Sequence, residues 1–94
     1  MTMESLTREL LAFRDARNWA HYHTPENLAK SISIEAAELL EVYQWGDGYK
    51  ARKEATDEIA DIAIYLLTLC HELNVDLEQA ITEKIKKNEG KYPL

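Results

Sequence analysis

Cysteine occurs once in this chain, proline twice and glycine three times. The lone Cys70 excludes an internal disulfide and points to a reducing compartment. Set in an apolar helical run, it reads as a core residue. So little glycine and proline, with Leu, Ala, Glu, Lys and Ile dominant, favours helices over strands. Long apolar runs are missing as well. Asp61 and His71 interrupt the longest one before it nears the roughly 18 residues that a bilayer span needs. Positive charge is scarce, with a net of −6 and no basic block outside "EKIKKNEGK", so a nucleic acid polymer is not an expected partner. The opening "MTMESLTREL" carries no basic-then-apolar signal pattern. The expectation is a soluble cytoplasmic protein with no membrane partner. With 94 residues, 46% hydrophobic and 30% charged, the chain reads as one globular domain over residues 1–94.

The breaks are few and well marked. "HYHTPENL" offers Thr24 as a helix N-cap, with Pro25 in the first turn and Glu26 complementing the dipole. "WGDGYK" sets Gly46 and Gly48 around Asp47, stopping one helix before the next begins. In "ELNVDLEQ", Asn74 is a stop and Asp76 a new cap, with Gln79 placed to complete a capping box. "EGKYPL" ends the last helix near Gly90. Helices are therefore predicted over residues 3–18, 26–45, 50–73 and 77–89, and no segment alternates like a strand. The fold class is all-α, a bundle of four main helices.

On a helical wheel, Leu28, Ile32, Leu39 and Val42 form the apolar stripe of the second helix, and Glu35 falls inside it. Glu38 sits at its edge, about 60° away, and Glu41 points further towards water. The third helix is apolar around most of its circumference. One narrow gap holds Glu54, Asp57, Glu58, Asp61, Tyr65, Thr68 and Glu72. Such a helix has to be covered on several sides. Three short neighbours do not suffice, so the core is expected to be completed by dimerisation, as a homodimer or homotetramer.

An ExxE or ExxD pair alone is common on a solvated helix face. Here Glu35 and the Glu58–Asp61 pair interrupt apolar faces, and two such pairs lie on consecutive helices. Carboxylates turned towards a shared interior repel and neutralise unless something positive meets them. The neighbouring positions are apolar, so a hard divalent cation fits better than Lys or Arg. Glu and Asp oxygens suit Mg²⁺, or Mn²⁺, and no Cys/His set has zinc spacing. A di-iron bundle would want Glu-x-x-His pairs, and none occurs. The metal ligands expected are Glu35, Glu38, Glu58 and Asp61.

The order Glu35-x-x-Glu38 then Glu58-x-x-Asp61 resembles the signature of the MazG-like all-α nucleoside triphosphate pyrophosphohydrolases. "FRDARNWAHYHTPENLAKSISIEAAELLEVYQW" and "DLEQAITEKIKKNEGKYP" are similar to the dCTP-pyrophosphatase branch, and the likeness covers nearly the whole chain. It implies helical bundles completed by dimerisation, often as tetramers. It also implies cleavage between the α- and β-phosphates of a (d)NTP, with Mg²⁺ on the four acids. Glu38, at the stripe's edge, is the preferred general base.

In these relatives the tryptophans matching Trp19 and Trp45 line the nucleobase pocket, and both lie near helix ends where stacking is open to them. Tyr65, one turn beyond Asp61, is placed to meet the deoxyribose. Lys84, Lys87, Asn88 and Lys91 supply donors for pyrophosphate, although a helix C-terminus attracts cations in any case. Lys30 reads as surface, and His21 and His23 as parts of the loop that positions Thr24. Some relatives carry a histidine in the first helix where Leu10 stands here, which bears on cytosine preference. The substrate expected is dCTP or a modified dCTP, in nucleotide-pool house-cleaning. The alternatives are a relative acting on other canonical or damaged nucleotides, and a non-catalytic helical module binding a nucleotide or partner. An intact acid quartet speaks against the latter. A sibling hydrolysing phosphoribosyl-ATP would leave "YQW" and "HTPENL" without a role.

Overall fold

Among the described residues four α-helices make up the fold, as the breaks predict: α1 Met3–Ala16, α2 Pro25–Val42, α3 Tyr49–Leu73 and α4 Leu77–Lys91. The structure, a computed structural model, describes residues 1–46 and 48–94, so Asp47 in the α2–α3 break lies outside the described residues. No strand occurs among the described residues, and none of their helices is long and apolar enough to cross a membrane.

The helix starts follow local chemistry. Thr24 caps α2, its hydroxyl accepting from the Asn27 amide at 3.2 Å with Pro25 in the first turn. Asp76 caps α4 by accepting from the Gln79 amide at 3.1 Å. The reciprocal half of that expected box is not made. Gln79 instead donates along the helix to Glu83 at 3.2 Å. A full capping box does form at α1, where Thr2 and Ser5 exchange bonds of 2.9 and 3.0 Å. Gly48, at φ 92°, precedes α3 in a conformation that favours glycine.

The helix ends depart from the predicted ones for identifiable reasons. α1 stops at Ala16 because Asn18 turns left-handed (φ 57°), and the Arg17 and Trp19 amides both bond the Arg14 carbonyl at 3.1 Å. A 3₁₀ turn, Ala20–Tyr22, follows within the predicted break, where no helix is expected. α2 ends at Val42, where Tyr43 and Gln44 tighten the last turn onto Leu40 and Glu41. Asn74, left-handed at φ 58°, stops α3 as expected. α4 runs through Gly90, since the Tyr92 amide still reaches the Asn88 carbonyl at 2.8 Å.

Packing is lopsided. α2 lies along α3, α1 rests on α3, and α4 has at most marginal contact with the others. The α2–α3 seam is built on Leu28, Ala51 and Ala55, all buried, with Thr68 fully enclosed and its hydroxyl donating to the Ile64 carbonyl at 2.8 Å. Within one chain α3 therefore buries part of its polar stripe. Its apolar flanks, Ile59, Ile64, Leu66 and Leu73, stay exposed, as do Ile81 and Ile85 on α4. The accessible surface is 7512 Å², against about 5,600 Å² for a folded monomer of this mass. The radius of gyration is 15.6 Å, against about 12 Å for a compact chain of this length. Cys70 is half-buried rather than a core residue.

Candidate functional site

Glu35 and Glu38 on α2 meet Glu58 on α3, each offering a carboxylate oxygen within 4.8 Å of the others. The helical rise puts Glu35 and Glu38 one turn apart, and the packing of α2 along α3 brings Glu58 to face them. Glu35 and Glu58 each bury Oε2 without a hydrogen-bond partner. Every ion pair among the described residues involves Arg8 or Arg14, so no cation of the chain answers these acids. The Glu35 carboxyl is pushed up to about 7, because its proton would be shared with Glu38 and then with Glu58, and because burial and the charges of Glu38 and Asp61 oppose ionisation. Asp61 stands outside the tight trio and exposed, its charge reaching Glu35. Two orphaned buried oxygens in an all-carboxylate set fit a hard divalent cation such as Mg²⁺ or Mn²⁺.

A cavity of about 440 Å³ lies beside this cluster. Trp19 and Tyr22 give it an aromatic wall, and Tyr65 contributes from α3. Asn27, Lys30 and Ser31 line it from α2 over the buried Leu28. Ser31 is one turn before Glu35 and Tyr65 one turn after Asp61, so cavity and carboxylates are neighbours along both helices. Among the described residues no Asp or Glu lines the cavity itself.

The structure thus gathers Trp19, Tyr65 and the carboxylates into one region. It does not bring the other expected substrate contacts there within a single chain. Trp45, 88% exposed after the end of α2, does not line the cavity. Lys84, Lys87, Asn88 and Lys91 ride on α4, which leaves the bundle after the turn at Asn74–Asp76. Lys30, read as plain surface, is exposed yet lines the cavity.

Tyr22, Asn27 and Ser31 are cavity residues that the sequence does not single out, and His23, expected only as part of the loop that positions Thr24, lines the cavity too. Asn27 and Ser31 lie on the face of Glu35, eight and four residues before it, which a wheel drawn for polar groups would show. Tyr22 and His23 carry no such signal, because only the 3₁₀ turn brings them back onto α2. That turn is held by the Asn27 side chain, which donates to the Tyr22 carbonyl at 3.0 Å. His23 buries Nδ1 without a partner. Its pKa is lowered, first by burial and then by the charge of Arg14, with Glu72 opposing. A second cavity of about 760 Å³ lies between α1, the end of α3 and the start of α4, with Leu11, Cys70 and Leu77 in its wall. It holds no clustered metal-ligating side chains among the described residues.

A family model described as the MazG-like family matches residues 30–94. The chain is 32% identical to dCTP pyrophosphatase 1 of Mus musculus over 99% of its own length, and 33% identical to that of Homo sapiens over 98%. It spans 60% and 59% of those two proteins. The crystal structure of a pyrophosphatase from Archaeoglobus fulgidus superposes with a TM-score of 0.89 at 47% identity, over 98% of this chain and 93% of that one.

Proposed function

The chain belongs to the MazG-like family, and on that premise we propose that it hydrolyses a nucleoside triphosphate to the monophosphate and pyrophosphate. The observation that carries this reading is the convergence of Glu35, Glu38 and Glu58, with two buried unpartnered oxygens, beside an aromatic-walled cavity. A divalent cation, Mg²⁺ or Mn²⁺, would be held by these three with Asp61. When bound, it offsets the charge of the acids and of the triphosphate and polarises the phosphoryl group attacked.

The chain's own residues do the rest. Trp19 and Tyr22 take the flat base in an open cavity whose volume, about 440 Å³, suits a small ligand. Tyr65 lies between base and phosphates, at the sugar. Glu38, exposed while Glu35 and Glu58 each bury an oxygen, accepts the proton of the attacking water. The identity with proteins named dCTP pyrophosphatase 1 supports dCTP or a modified dCTP as substrate.

A homodimer or homotetramer is part of this reading. It rests on the exposed apolar flanks of α3 and α4 and on the surface in excess of a monomer's. A second copy would cover those faces and could supply Trp45 and the α4 residues Lys84, Lys87, Asn88 and Lys91 to its neighbour's site. The decisive experiment incubates the protein with a panel of (d)NTPs and Mg²⁺ and resolves the products by chromatography. Monophosphate with pyrophosphate is expected, fastest from dCTP or a modified dCTP. Release of inorganic phosphate, or no turnover of any nucleotide, overturns the reading.

A further inference from the structure

One buried cation plays no part in the reaction just described. Arg14, in the last turn of α1, is 7% exposed. Its Nη1 donates to Glu72 Oε1 at 2.8 Å and its Nε to Asp15 Oδ1 at 3.0 Å. Among the described residues the Arg14–Glu72 contact is the only ion pair joining two helices. The other two are a contact between neighbours in sequence and an i,i+4 pair on α1.

Its place relates it to the cavity. The Arg14 carbonyl accepts the Trp19 amide at 3.1 Å, so the backbone of Trp19 hangs from the residue whose side chain grips α3. Phe13, the residue before, meets the Trp19 ring edge-on with centroids 5.8 Å apart. The partner acid, Glu72, lies two helical turns beyond Tyr65 on α3. One ion pair therefore ties the helix end that holds Trp19 to the helix that carries the opposing wall. His23, which also lines the cavity, feels both charges of the pair.

We propose that the Arg14–Glu72 pair is a positioning element that sets the spacing between Trp19 and Tyr65, and through it the affinity for the nucleoside portion of the substrate. The proposal rests on reading the cavity as the base-binding part of the site. Neither side chain touches the carboxylate cluster, so the chemical step is not its target. Arg14 is withdrawn from water, at 9% side-chain exposure, whereas Glu72 is exposed and keeps 31% of its side chain in solvent. Loss of Glu72 leaves the guanidinium only its exposed sequence neighbour Asp15, and loss of Arg14 frees Glu72 to turn to water. α1 rests on α3 with little else to hold it, so its last turn, and Trp19 with it, shifts as well.

The test compares Glu72→Gln, Arg14→Met and the charge-swapped double variant Arg14→Glu/Glu72→Arg. KM for the preferred nucleotide should rise about tenfold in each single variant while kcat stays within about twofold, and the swap should recover much of the loss. In a Trp45→Phe background, acrylamide quenching of Trp19 in the nucleotide-free protein should increase in both single variants and fall back in the swap. Unchanged KM and quenching overturn the proposal. So does a fall in kcat that matches the rise in KM, or a swap that restores nothing although both single variants keep their helix content. If the wild type turns over no nucleotide, the enzymatic reading fails by itself. The quenching series on unliganded protein then still decides whether the pair holds Trp19.

Discussion

Glu35→Gln in metal-free protein should stabilise the fold, and by an amount that depends on pH. The carboxyl is pushed from its ordinary 4.5 up to about 7 by Glu38, Glu58, burial and Asp61. A folded-state pKa above the unfolded one means that the native protein holds the proton more tightly. Its contribution is complete below pH 4.5 and is lost as pH rises through about 7. At face value the shift corresponds to about 3 kcal/mol. Glu35 is half-buried, so screening reduces this to about 1–2 kcal/mol. The amide that replaces the carboxyl carries no charge to repel, so the variant escapes that loss. For a domain of this size the difference is about 5–10 °C in Tm. Thermal melts in EDTA across the pH range check it. Wild type and variant should melt together near pH 4.5 and separate progressively, with the variant higher at pH 8. Saturating Mg²⁺ should reverse the order, since the wild type binds the ion better. A Tm difference independent of pH, or a variant less stable than wild type at about pH 8 without metal, would refute the claim that these acids crowd one another.

Further outcomes follow from the same geometry. Glu38→Gln and Asp61→Asn should each lower turnover by about 100-fold or more with circular dichroism unchanged, whereas Glu41→Gln, on the exposed side of α2, should change it little. Trp19→Ala should act mainly on KM, measured across the same nucleotide panel, because it removes a cavity wall and leaves the carboxylates in place. Millimolar Mg²⁺ should raise the wild-type Tm, and no shift below tens of millimolar would mean that the acids do not share an ion. Light scattering at micromolar concentration should give a multiple of 10.9 kDa, and Ile59→Glu on the exposed flank of α3 should shift the protein towards monomer and lower its Tm. A folded, active monomer would remove the argument from exposed apolar surface.

Some of this was settled within single helices. Thr24-Pro25, Asn74 and Asp76 mark starts and stops through bonds spanning about three to five residues, so they are legible wherever the chain goes. The i,i+3 pairs Glu35–Glu38 and Glu58–Asp61 likewise follow from the helical repeat, which alone decides that each pair shares a face. Even the interruption of apolar stripes by Glu35 and Glu58 is a property of one helix at a time. What periodicity cannot contain is the axial register of one helix against another. That register draws Glu58, rather than Asp61, into the trio with Glu35 and Glu38, and buries an oxygen of each helix without a partner. It brings Arg14 to Glu72 across 58 positions of sequence. The 3₁₀ turn after Trp19 folds Tyr22 and His23 back over α2, because a left-handed Asn18 and the Asn27 side chain direct the chain there. The direction in which α4 leaves Asn74 withholds its lysines from the site of their own chain. Each of these depends on side chains meeting across elements, where the repeat of a single helix carries no information.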